Sequence, residues 1–301
     1  MNPATDRRES GQGHRSAAAG AAWLAAAPAT AAENLALDEA LLEAAHDGRL
    51  TRPVVRTWMA ESPTVVLGSS SRVTDEVDLE ACAAAGATIL RRPSGGLTVL
   101  LGPGCLMWSV ITPHPLATPP IDAIHAAMLD PLVAAVRAAG RPVERRGSSD
   151  VALVVEGVER KVSGNALRVR RGAVLYHGTL LDSFDLPAIG RLLRHPPREP
   201  EYRARRPHGE FVANLGLGRG RLEAAVRTAF DAADETRDWP RDRVAALVAD
   251  RYATPAWTHR LGAARWTVRR GPIRQAGPTV ANPGTEQTGT RGVIAWGSAG
   301  R

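Results

Sequence analysis

Lysine is almost missing from this chain. Lys161 is the single lysine among 38 Lys and Arg residues, so every other basic side chain is arginine. Aromatic residues are scarce at 4%, and there are only two cysteines, Cys82 and Cys105. Two cysteines give no basis for a disulfide framework or a cysteine metal cluster, and they suit a reducing cytoplasm, the expected location. No apolar run reaches the roughly 18 residues that cross a bilayer, so no membrane partner is expected. Walker and dinucleotide glycine patterns, zinc fingers and RNA-binding aromatic signatures are absent, so nucleic acid is not an expected partner. Both cysteines read as packed residues: Cys82 lies among alanines, and Cys105 has no basic neighbour in sequence.

The scarcity gives Lys161 weight. Guanidinium is planar and forked, and it cannot replace a compact ammonium that must reach a phosphate or carboxylate. The chain has 301 residues, enough for one large domain with appendages, and a hydrophobic content of 44%. Its net charge of +7 favours acidic partners such as nucleotide phosphates or acidic protein domains.

Patterning predicts alternating strands and helices. Asn34 to Leu42 reads as a helix capped by Asn34, with Asp38 and Glu39 on a solvated face. Strands are predicted at 53–58, 64–68, 87–92 and 106–111, and a helix over Asp75 to Ala85. A longer helix spans Ile121 to Ala139, with a kink or break at Pro131 and His125 at the surface. Two hairpins follow, turning at Glu156-Gly157 and Arg171-Gly172, so the strand of Lys161 lies beside that of His177. Short helices close the chain at 185–193, 221–233 and 241–252. In Arg92-Pro93-Ser94-Gly95-Gly96, consecutive glycines let backbone N–H groups approach an anion, and Arg92 can add a bidentate phosphate contact.

Arg160-Lys161-Val162-Ser163-Gly164-Asn165, a hairpin, then Tyr176-His177-Gly178-Thr179-Leu180 resembles the lysine motif of the lipoate–protein ligase A family. That family belongs to the biotin/lipoate ligase and octanoyltransferase superfamily. Arg91-Arg92-Pro93-Ser94-Gly95-Gly96 resembles its adenylate-binding loop, Arg-Arg-x-Ser-Gly-Gly-Gly, and the helix at Asn34 resembles its N-x-A-x-D-E-A-L-L segment. The resemblance covers about 22–260. It implies an α+β catalytic domain with a mixed, largely antiparallel sheet and packed helices. A disordered extension is expected over 1–21 and a disordered tail over 261–301.

The resemblance also implies a chemistry. ATP activates lipoate, or octanoate, as an acyl-adenylate, and the acyl group passes to a lysine of an acceptor lipoyl domain. Acceptors would be lipoyl domains of 2-oxoacid dehydrogenases or the glycine cleavage H protein. Lys161 would sit between carboxylate and phosphate, where one ammonium about 4 Å from an anionic oxygen contributes roughly 4 kcal/mol. Arg92, Ser94, Gly95, Gly96, Thr98 and Val99, with Ser163, Gly164, His177, Gly178 and Thr179, would bind substrate and adenylate. Asp150 would hold Mg2+, or serve as a turn or cap. Val99, Val162 and Leu180 are candidates for an acyl tunnel or for core packing. Arg203, Arg205 and Arg206 could meet an acidic protein surface, and Trp257 resembles a terminal anchor.

Three features depart from the family. Leu97 replaces its third glycine, Cys105 replaces a polar residue, and the tail is too short for its accessory domain. A separate accessory-domain protein is therefore a candidate partner. Octanoyltransferases that work through an acyl-cysteine carry it just upstream of the lysine strand. Here Arg146-Gly147-Ser148-Ser149-Asp150 holds no cysteine, which favours adenylate chemistry. The alternatives are an octanoyl or lipoyl transferase without its own activation step, and a non-catalytic relative that binds an acyl group or a lipoyl domain.

Overall fold

A computed structural model describes residues 20–25, 28–117 and 119–262; of the segments expected to be disordered, 1–21 and 261–301, all but residues 20, 21, 261 and 262 lie outside them. The chain enters as β1 (Ala22–Leu24) and continues into α1 (Ala31–His46). Thr30 rather than Asn34 caps α1, with Glu33 closing a capping box. Asn34 sits a turn further in, its amide donating to the Pro28 and Thr30 carbonyls at 2.8 Å.

Strands β2 (Val54–Met59) and β3 (Thr64–Leu67) follow. The helix expected over 75–85 is two short ones, α2 (Val73–Glu76) and α3 (Leu79–Ala84), because Asp78 interrupts to cap the second. Strands β4 (Thr88–Arg91) and β5 (Val99–Leu101) flank the glycine pair, and β6 (Cys105–Pro113) follows. Helix α4 (Ile121–Ala138) runs through Pro131 without the expected break. His125 on α4 is buried rather than at the surface, with Nδ1 2.9 Å from the Tyr176 hydroxyl. Strands β7 (Val143–Arg146), β8 (Asp150–Val155), β9 (Val158–Arg170) and β10 (Ala173–Leu181) form successive hairpins. Gly157 and Gly172, both at φ 77°, make two of the turns where the sequence placed them. The last third holds α5 (Leu186–Leu192), α6 (His208–Phe211), α7 (Arg219–Ala229), β11 (Asp234–Thr236), α8 (Arg241–Leu247) and α9 (Pro255–Thr258).

The eight-stranded sheet has the order β11-β1-β2-β6-β10-β9-β8-β7, and a smaller one has the order β4-β3-β5. Strand β1 is parallel to β2 and β11; the other neighbours in the large sheet are antiparallel. The fold is therefore α+β with a mixed, largely antiparallel sheet. Both faces of its centre are covered. Val54 and Trp58 of β2 pack with α1, whereas Val55 between them packs with α4 and α7. That is the period-2 alternation of a strand with two helical layers. Strand β11 was not foreseen, since Asp234-Glu235-Thr236 has no apolar alternation and only pairing with β1 makes it a strand.

Candidate active site

Residues 161 and 164 have odd spacing, so a regular strand would point them to opposite faces. Yet Lys161 and Gly164 line one cavity of about 440 Å³. A bulge explains it. Asp150 pairs with Gly164 and Val151 with Ser163, but Ala152 pairs with Lys161, leaving Val162 as the extra residue. The bulge turns the Lys161 ammonium to within 2.7 Å of Asp150 Oδ1. The Tyr202 hydroxyl donates to Asp150 Oδ2 at 3.0 Å. Burial first, and Asp150 beside it, push the Tyr202 hydroxyl pKa up, so it stays a donor. Gly164 is required by the same geometry, since a Cβ there would stand 2.8 Å from Lys161 Nζ and Cε. Gly178 is equally constrained, because a Cβ would fall 1.7 Å from Asn165 Oδ1.

The opposite wall is the loop after β4. Gly96 has φ 85°, a conformation that favours glycine, whereas Leu97 keeps a negative φ. Leucine in place of the third glycine therefore strains nothing. Arg92 is placed differently from the free phosphate fork expected. Its guanidinium donates to Ser94 Oγ at 3.0 Å, Val66 O at 3.1 Å, Gly95 O at 2.6 Å and Leu97 O at 2.9 Å. Burial lowers it to about 10, so it remains charged at neutral pH. Thr98 is tied down through its N–H and hydroxyl, which donate to Glu76 Oε2 at 2.8 and 2.7 Å.

Of the residues singled out from the sequence, Arg92, Gly96, Thr98, Val99, Asp150, Lys161, Gly164, His177, Gly178 and Thr179 lie on the cavity wall. Ser94 and Ser163 are fully buried behind it, and Gly95 is not among the lining residues. Val162 and Leu180 belong to the hydrophobic core rather than to a tunnel wall, whereas Val99 does line the cavity. Arg203 is buried and stacks with Arg206 on the Phe211 ring, so these two are not the free surface arginines expected. Trp257 donates its indole N–H to Arg91 O at 2.9 Å, close to the anchoring role expected.

Sequence reasoning missed Asp38, Glu39, Glu76 and Tyr202. Asp38 and Glu39 are buried, contrary to the solvated face expected. Glu39 accepts from Tyr252 at 2.7 Å and from Arg251. Asp38 forms an ion pair with Arg56 at 2.7 Å, both side chains enclosed. Burial would raise the Asp38 carboxyl pKa, but Arg56, His177 and Ser109 outweigh it and hold it below the ordinary range. One signal was available: Arg56 stands inside the apolar run Val54-Val55-Arg56-Thr57-Trp58, and a buried arginine requires an acceptor.

No cysteine is among the described residues that line the cavity. Cys82 and Cys105 are buried, and burial pushes their thiols up to about 11 and 12. Both are therefore thiols, not thiolates, at neutral pH. The folded protein should take up no maleimide at pH 7 within minutes, whereas the urea-unfolded chain takes up two. Rapid single labelling of the folded protein would contradict this burial.

The α+β sheet, the lone lysine beside a carboxylate and the glycine loop facing it together define a carboxylate-activating or acyl-transferring class of domain. The chain belongs to the lipoyl protein ligase A/B catalytic-domain family, whose model matches residues 30–221. Octanoyltransferase LipM of Kyrpidia tusciae is 29% identical over 77% of this chain and 95% of its own length. A putative lipoate-protein ligase A of Aeropyrum pernix is 32% identical over 53% of this chain and 57% of its own. A bi-partite lipoate protein ligase of Thermoplasma acidophilum shares the fold at a TM-score of 0.67 and 23% identity, over 83% of this chain and 99% of that one. A lipoate-protein ligase A bound with ATP superposes at 0.66, with 24% identity over 79% and 98% of the two chains. Among the described residues no helix is long and apolar enough to cross a membrane.

Proposed function

We propose that this protein attaches a lipoyl-type acyl group to a lysine of an acceptor lipoyl domain through an acyl-adenylate. The observation that carries the reading is a cavity that holds Lys161 and a glycine loop but no thiol among its described lining residues. The acid's carboxylate attacks the α-phosphate of ATP and expels pyrophosphate. The acceptor's amine then attacks the acyl carbon and expels AMP. The first step brings two anions together, so electrostatic stabilisation is its main requirement. Lys161, on the cavity wall, neutralises both in this reading. Gly96 and Leu97 line the cavity, and their N–H groups have no partner among the described residues, so they can face the phosphate.

Magnesium carried on a nucleotide needs only one or two protein carboxylates. Asp150 and Glu199 are carboxylates of the cavity wall and fit that need. No cluster of three or more His, Cys, Asp or Glu that could hold a metal on its own is present among the described residues. Mg2+ would offset phosphate charge as activation proceeds. The Thermoplasma neighbour is described as a bi-partite ligase, which supports a separate accessory protein as partner for the activation step.

A second reading is favoured by the LipM relatives: transfer of octanoate from an acyl thioester carrier, with no activation step. Intact mass spectrometry of an apo lipoyl domain separates the two. The expected result is a lipoyl-sized mass gain with preformed lipoyl-adenylate, and with lipoate plus ATP and magnesium when an accessory protein is supplied. Gain from an octanoyl thioester carrier alone would replace the ligase reading with the transferase. Silence with every donor would reject both.

A further inference from the structure

At and behind the cavity wall, five buried side chains from four elements and the glycine loop form one chain of hydrogen bonds. His177 of β10 lies with Nδ1 3.2 Å from Asp38 Oδ2 of α1, and with Nε2 2.6 Å from Ser94 Oγ of the glycine loop. Ser109 of β6 donates to the same Asp38 oxygen at 2.8 Å, and Arg56 of β2 donates to the other at 2.7 Å. Serine, histidine and aspartate in this order form the nucleophile arrangement of many hydrolases. Here Ser94 is fully enclosed and is not among the cavity-lining residues, so it cannot meet a substrate.

Counting donors gives the chain a direction. An ionised Asp38 only accepts, so Nδ1 carries a proton, and in the neutral form of the ring it carries the only one. Nε2 then holds a lone pair and accepts the Ser94 hydroxyl. The Ser94 oxygen in turn accepts from Arg92 Nε. Arg92 draws the Gly95 and Leu97 carbonyls to itself. With the Gly95 carbonyl turned inward, the Gly96 N–H of the same peptide points the other way, while the Leu97 N–H shares its peptide with Gly96 O, which accepts from Ser71 Oγ at 3.4 Å; neither amide has a partner among the described residues.

We propose that Asp38, braced by Arg56, is a positioning residue that sets the His177 tautomer and, through Ser94 and Arg92, holds the glycine loop with its amides presented. This rests on reading that loop as the phosphate cradle of the proposed reaction.

The test is the variant Asp38→Asn, studied as the full chain. Arg56 has only donors and claims the asparagine oxygen, so the amide NH2 faces His177 Nδ1. The proton must then move to Nε2, and the ring becomes a donor toward Ser94. Histidine nitrogen–proton NMR should show the Nδ1–H tautomer in the parent protein and Nε2–H in the variant. Hydrogen exchange over 93–98 should speed up about tenfold. Turnover from preformed lipoyl-adenylate should fall about tenfold or more, with KM for the lipoyl domain within twofold. A merely structural role would lower Tm and leave the tautomer alone. Asp38→Asn with Arg56→Gln removes the uncompensated buried guanidinium and serves if the single variant does not fold. Retention of Nδ1–H in a folded variant, or reversal without faster loop exchange, would overturn the proposal. The ring and exchange measurements need no turnover. If they shift as stated while the parent transfers no acyl group, the positioning stands and the proposed reaction falls.

Discussion

Lys161→Arg should leave the fold intact and lower acyl transfer about a hundredfold or more, the usual loss when one donor to a developing charge is removed. The fold should survive because arginine can still pair with Asp150 and the Lys161 side chain is partly exposed. Transfer should not survive, because the ammonium occupies a space bounded by the missing Cβ of Gly164 and by Asp150, which a planar fork cannot fill. Gly164→Ala separates position from charge. It retains the lysine but pushes its flexible end away, so transfer should also fall while Tm moves little. Mass gain of the lipoyl domain per minute, with Tm alongside, measures both variants. Near-normal turnover in Lys161→Arg would reject the role assigned to Lys161.

Gly68→Ala should be among the most damaging single methyl additions at the described glycines. The new Cβ would lie 1.9 Å from Gly96 O and 2.9 Å from its carbonyl carbon. Both are backbone atoms, so relief requires moving either the glycine loop or the Gly68 segment. The latter is itself held, since Arg91 Nη1 donates to Gly68 O at 2.7 Å and to Ser71 O at 2.8 Å. Overpacking of this kind costs about 1–3 kcal/mol, occasionally more. Each kcal/mol lowers Tm by about 2–4 °C in a domain of roughly this size. Affinity for an adenylate analogue should fall with it, because the displaced residue lines the cavity. Gly220→Ala is the control: its Cβ meets nothing within 4 Å and it lies in helix α7, where alanine should be neutral or stabilising. A Gly68→Ala protein as stable as the parent would show that the two segments do not meet.

Much of the local structure was legible. Alternation in Val54–Met59 and Cys105–Pro113 gave strands because each face has its own apolar layer. Glycines at 157 and 172 gave turns because the backbone there needs positive φ. Helix α1 was found, but its surroundings were misread. Eleven of its sixteen residues are buried, so no polar stripe distinguishes a solvent side. Asp38 and Glu39 looked like surface charges because their partners, Arg56, His177, Arg251 and Tyr252, lie on other elements. The Pro131 break failed for a related reason: α4 is held by its packing against β7 and α7, and that outweighs one lost backbone bond.

The sequence by itself determined which chemical groups are available. It set one lysine, a glycine pair after a strand, and a segment Arg146-Gly147-Ser148-Ser149-Asp150 without cysteine. Those are local properties, carried by residue type and short spacing. Tertiary structure decided which groups meet. The extra residue at Val162 aims Lys161 at Asp150, Tyr202 arrives from 41 positions beyond that lysine (202 against 161) to hold the same carboxylate, and Asp38 reaches His177 across 139 positions. Such meetings depend on strand register and on burial that only the packed whole supplies, because a charge shows no preference for a distant partner until water is removed from between them.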